Sequence, residues 1–82
     1  MSNLTKFRAL HGLTQTELGE HFGVSRAGMS YIEKAPLSVK NAKKAAEIFG
    51  ENVFEILGED VLKIKPTTQE EKDYIINIIK NL

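Results

Sequence analysis

His11 and His21 are the chain's only imidazoles, ten residues apart, and there is no cysteine, so no nucleophile, acid and base fall together and no thiolate or imidazole cluster has zinc-site spacing. Catalysis and metal binding are therefore not expected, and no cofactor is implied. What the chain does carry is hydrogen-bonding chemistry packed into one stretch, Gln15 to Lys34, QTELGEHFGVSRAGMSYIEK. Its donors and acceptors, Gln15, Ser25, Arg26 and Tyr31, are interleaved with apolar and small residues. That interleaving is the pattern of two short helices crossing at a tight turn, a helix-turn-helix. Gly19 supplies the bare backbone wanted at the crossing, and Gly23 supplies a residue that enters the left-handed region at little cost.

The elements that must hold these groups read as helices throughout. A first helix is predicted over about Leu4 to His11, capped by Ser2 or Asn3 and closed by Gly12. Thr14 with Glu17 forms a capping box and opens a second helix over about Gln15 to Phe22. Ser25 caps a third, about Arg26 to Lys34, which Pro36 prevents from continuing. Ser38 begins a fourth that runs to Phe49 and stops at Gly50, and a short fifth spans about Val53 to Leu57 before Gly58. The predicted core is Leu4, Phe7, Leu18, Phe22, Val24, Met29, Ile32, Ala42, Ala45, Ile48, Val53, Ile56 and Leu57. Val61 to Lys65 alternates weakly and predicts either a brief strand ended by Pro66 or an extended linker. Thr68 and Glu71 form a second capping box for a last helix over about Gln69 to Asn81.

With 82 residues the chain has room for one small core, and without cysteine that core must rest on apolar burial. No leader opens it and no apolar run approaches the roughly 20 residues of a membrane helix, so a soluble, cytoplasmic protein is expected. The formal net charge is zero, although DNA binders draw much of their affinity from neutralising phosphates. The charges are nonetheless segregated. Seven basic against four acidic residues give positions 1–50 a charge of +3, and four against seven give positions 51–82 a charge of −3. A basic face and an acidic rear follow.

LTQTELGEHFGVSRAGMSYIEK, with its opening Gln15, small Gly19, turn Gly23, apolar Val24, Met29 and Ile32 and closing Glu33, resembles the XRE-type family of phage repressors, Cro proteins and their bacterial relatives, over about residues 3–58. The resemblance implies an all-α fold: a five-helix phage-repressor-like DNA-binding domain over residues 1–58, followed by an extended or strand segment and a C-terminal helix in 59–82. It implies an internal ion pair between Arg8 and Glu33. It also implies that the third helix enters the major groove of double-stranded DNA while the second lies across the backbone. Base readout then falls to Ser25, Arg26, Ala27 and Tyr31. Arg26 is suited to guanine O6 and N7, and Ala27 to a thymine methyl. Phosphate contacts fall to Gln15, at a helix start, and to Lys34, Lys40, Asn41 and Lys43. The chain departs from the family in going from Glu33 through Lys34 and Ala35 to Pro36, a shorter loop, and in placing Gly28 inside the reading helix, which costs roughly 1 kcal/mol against Ala.

In the last helix Tyr74, Ile75, Ile78, Ile79 and Leu82 form a stripe, widened by Ile76, that is broader than a small bundle needs. A homodimer seam is expected there, suited to a palindromic operator read as two half-sites. A Cro-like or stand-alone repressor without a small-molecule effector is the reading that results. The alternative is a protein-interaction module on the same scaffold, such as an antitoxin or a phage-encoded inhibitor.

Overall fold

Local chemistry at the helix ends sets the frame of the molecule. A computed structural model describes residues 2–81 and places among them α1 (Leu4–Leu10), α2 (Gln15–Phe22), α3 (Arg26–Lys34), α4 (Val39–Phe49), α5 (Val53–Leu57), a 3₁₀ helix (Gly58–Lys63) and α6 (Gln69–Lys80). Thr14 Oγ1 accepts from the Glu17 amide at 3.1 Å while the Glu17 carboxylate accepts from the Thr14 amide at 3.0 Å, the reciprocal pair of a capping box. Ser25 accepts from the Gly28 amide, Ser38 from Asn41 and Asn52 from Phe54, so α3, α4 and α5 each begin on a side-chain acceptor. Gly23 and Gly50 close α2 and α4 in the left-handed conformation at φ 71° and 65°.

Of the two residues expected to cap α1, Ser2 does so, its hydroxyl accepting from the Leu4 amide at 3.4 Å, and Asn3 does not. Asn3 occupies the cap position, yet its side chain makes no cap bond to α1. Its amide group instead donates to the Glu55 carbonyl at 2.9 Å, and its backbone N–H donates to Ile56 at 2.8 Å. A residue expected to act locally therefore fastens the beginning of the chain to α5.

Leu4, Leu18, Met29, Ala42, Ala45, Ile56 and Leu57 are fully buried, with Phe7, Phe22, Leu37, Phe49 and Val53 around them. Two expectations about the core need correction. Val24 is 36% exposed, because the turn after Gly23 leaves its side chain outside, over Gly28. Ile32 and Ile48 are only partly buried and pack on the edge of the cluster. Leu37, Val39, Ala46 and Phe49 take up interior positions in their place. Leu37 turns inward from the loop after α3, which explains how so short a loop can close.

No strand occurs at 61–65 among the described residues; the chain there completes the 3₁₀ helix and then extends from Ile64. The governing period is three, not two. Val61 and Ile64, three apart, both pack on the core, whereas Leu62 is 93% exposed. The tail is thus folded onto the bundle rather than held away as an extended linker. At α6, Thr68 accepts from the Glu71 amide as expected, but Glu71 reaches back to the amide and hydroxyl of Thr67 rather than to Thr68. No helix of the described residues is long and apolar enough to cross a membrane.

Candidate nucleic-acid interface

α2 and α3 cross where Gly19 passes beneath the turn. A Cβ on Gly19 would stand 2.8 Å from the Val24 carbonyl oxygen and 3.6 Å from Met29 Cβ, so only a bare backbone fits. With Leu18 and Met29 buried at this crossing, α3 packs against α2 and presents its other side outward.

The inner edge of α3 is clamped from α1. Glu33, 4% exposed, receives Arg8 Nε at 3.0 Å and Nη2 at 3.4 Å, and Thr5 Oγ1 donates to the same carboxylate at 2.7 Å. Arg8 Nη1 also donates to the Leu13 carbonyl at 3.0 Å. The carboxylate thus has three donors and its burial is compensated. Arg8 and Glu33 are fully occupied with each other and with the fold.

At the start of the helix Ser25 and Arg26 are exposed, and on its outward face Ala27 and Tyr31 are exposed, Tyr31 at 72%. Arg26 opens the helix, and Ala27, Tyr31 and Lys34 follow at helical spacing along one outward face. Ser30 was missed in the sequence. It lies four residues after Arg26 and three after Ala27, half-buried between the exposed polar face and the core, and that spacing was the available signal. Gly28 is also explained from within the fold. A Cβ there would stand 3.2 Å from Val24 Cβ, so its neighbour is a side chain of the same motif.

At the start of α2 the capping box occupies the Glu17 amide, and Leu18 N–H donates to Thr14 O at 3.0 Å. The amides of Gln15 and Thr16 are the two in this first turn that the box leaves for an outside acceptor. Gln15 itself is half-buried. The cap's hydrogen bonds from Thr14, backbone first and hydroxyl second, hold the Glu17 carboxyl below its ordinary pKa.

The remaining expected phosphate contacts are dispersed. Lys34 ends α3 exposed, Lys40 is exposed on the first turn of α4, and Asn41 beside it is half-buried. Lys43 is turned to the C-terminal helix, its Nζ 5.0 Å from the centre of the Tyr74 ring. The basic face is consequently smaller than the charge count implied. Lys44 likewise lies over Phe22 at 5.8 Å.

The expected dimer seam divides in two. Tyr74 and Ile78 are half-buried against the chain's own core, whereas Ile76 and Ile79 are 47% and 56% exposed and Ile75 is half-buried. The stripe is wide enough that its inner edge is used up in seating α6. Leu82 lies outside the described residues. Burial chiefly, and the negative charge of Glu47 secondarily, push the Tyr74 phenol above its ordinary pKa. Among the described residues no group of three or more His, Asp or Glu is placed to hold a metal ion.

A short helix laid across a second, with a capped start and an outward polar face, defines the class: a helix-turn-helix domain. The helix-turn-helix family model HTH_3 matches residues 4–56, and the chain belongs to the XRE-type helix-turn-helix family. It is similar to an uncharacterised HTH-type transcriptional regulator of Methanocaldococcus jannaschii, 42% identical over 57 residues that cover 67% of this chain and 86% of that protein. No solved structure matches the chain at a significant level.

Proposed function

We propose that this protein is a sequence-specific regulator that binds double-stranded DNA through α3, acts as a homodimer on a palindromic operator, and represses in the manner of Cro-like or stand-alone repressors. One observation carries the reading: α3 is anchored by Met29 and the buried Glu33, while Arg26 at its exposed first position and Ala27 and Tyr31 on its outward face are left free. A helix so divided has a rigid back and a free polar face, the arrangement needed to enter a major groove without disturbing its own packing. Arg26 donates to guanine, Ala27 meets a thymine methyl, and Ser25 and Tyr31 reach a base edge or the adjoining phosphate. Gln15, Lys34, Lys40 and Asn41 contact phosphates and set the register. Lys43 contributes only when its Tyr74 contact is released.

Selection of bound sites from random DNA supplies the operator, and fluorescence anisotropy on that operator and on a scrambled one tests the assignment. Arg26→Ala should lose roughly 1–3 kcal/mol on the operator alone, and Lys40→Ala should weaken both sequences alike and lower the salt slope by about one. Equal losses on both sequences for Arg26→Ala would remove it from readout.

The neutral overall charge and the short loop folded inward on Leu37 favour a second reading, an interaction module that binds another protein. Absence of DNA binding even at low salt would decide for it.

A further inference from the structure

The groove between α4 and α6 holds two of the lysines that the proposed reading assigns to phosphate, but on its other wall it is acidic. It is lined by Val39, Lys40 and Lys43 from α4 and by Thr68, Glu70, Glu71 and Tyr74 from the start of α6. Two lysines and two carboxylates of opposite charge thus share one solvent-open cleft. Glu70 and Glu71 lie in the first turn of α6 and are the acidic residues of that turn. Tyr74, one turn further on, packs on the core and takes Lys43 onto its ring at 5.0 Å, which fastens this end of α6 to α4. The acidic turn is therefore held beside the basic one, not merely close to it in sequence charge.

Lys40 belongs to the first turn of α4, two residues after its cap Ser38, where it faces both the groove and solvent. A phosphate reaching Lys40 and Lys43 would meet the carboxylates of Glu70 and Glu71 and the ring of Tyr74 in the same groove.

We propose that docked α6 acts as an internal competitor of DNA: the carboxylates of its acidic first turn line the same groove as the α4 lysines and repel an approaching phosphate there, so that binding nucleic acid and seating α6 oppose each other. The proposal rests on the DNA-binding reading above. It gives the −3 charge of residues 51–82 a location and an effect, since two of those charges stand on the face that carries the basic residues. Anything that lifts α6 off α4 then raises affinity for DNA.

The test is the double variant Glu70→Gln, Glu71→Gln, which keeps a side-chain acceptor for Thr67 and leaves the Thr68 cap on the Glu71 backbone amide untouched while removing both charges. Its control is Glu51→Gln, Glu55→Gln, which removes the same charge from residues that do not line the groove, Glu51 lying just past the far end of the 11-residue α4, about 15 Å along it from the groove lysines. Anisotropy on the selected operator, in the full chain at about 0.1 M salt, should show roughly fivefold tighter binding for the groove variant and less than about twofold for the control. Equal gains would overturn the proposal, since general charge would then suffice. Unchanged affinity in both, with the parent chain binding, would overturn it as well. Binding by none of the three proteins would remove the DNA-binding reading and this proposal together.

Discussion

The Val24 amide donates to the Gly19 carbonyl at 2.9 Å, and the Val24 carbonyl oxygen lies 2.8 Å from the point a Cβ on Gly19 would occupy. The same residue that ties the turn together thus closes off Gly19. Gly23 faces open space but has φ 71°, and Gly28 faces the Val24 Cβ at 3.2 Å, tighter than an ordinary contact but not against a backbone oxygen as at Gly19. Stability to urea should rank accordingly. Gly19→Ala should cost about 1–3 kcal/mol through backbone displacement, and Gly23→Ala about 1 kcal/mol through its left-handed conformation. Gly28→Ala should stay within about 0.5 kcal/mol of the parent, since the gain in helix propensity offsets the Val24 contact. Indistinguishable midpoints for Gly19→Ala and Gly28→Ala would contradict the packing described.

The Arg8 clamp predicts an asymmetry. Arg8→Ala leaves the Glu33 carboxylate, 4% exposed, with Thr5 as its remaining side-chain donor, and should cost about 3 kcal/mol. Glu33→Gln retains an acceptor for Thr5 and Arg8 and should cost roughly 1–2 kcal/mol. Because the two side chains are one network, the double variant should cost less than the sum. Additive losses in a double-mutant cycle would mean that the pair is not coupled.

The outward half of α6 offers a test of self-association. Sedimentation equilibrium of the parent chain should give a dimer, and Ile75→Asp with Ile79→Asp should give a monomer of unchanged helical content. A parent chain that sediments as a monomer at all accessible concentrations would remove the seam and, with it, the palindromic operator.

Tyr74 ties the seating of α6 to pH. Burial and Glu47 favour the neutral phenol in the folded chain. Its contribution is therefore complete below the ordinary phenol value of about 10 and is lost as pH rises through the raised one. In a Tyr31→Phe background, where Tyr74 is the only tyrosine left, an ultraviolet titration should place its ionisation above that of a model tyrosine peptide. Glu47→Gln should bring it part of the way back. An unshifted midpoint would show that the ring is not held in this environment.

The sequence disclosed what depends on neighbours within four residues. Thr14 with Glu17, Gly23, Ser25 and Gly50 each satisfy their own stretch of backbone, and α2 and α3 begin and end where those residues place them. The Arg8–Glu33 pair, 25 residues apart, was legible only through the family's pattern. What stayed hidden depends on distant packing. Nothing near Asn3 shows that its amide will find Glu55, and nothing near Val61 distinguishes a period of two from a period of three until the core is there to receive Val61 and Ile64. The isoleucine stripe of α6 was visible as a whole, but its division into a seated edge and a free one follows from where α4 lies.

Met29 and Glu33 commit one side of α3 to the interior, whereas Arg26, Ala27 and Tyr31 touch little that the fold depends on. Exchanges at those outward positions should leave folding within about ±0.5 kcal/mol, as surface substitutions generally do. What the helix recognises is therefore free to drift apart from how the chain folds, and duplicated copies of such a gene can part ways in their targets one outward residue at a time.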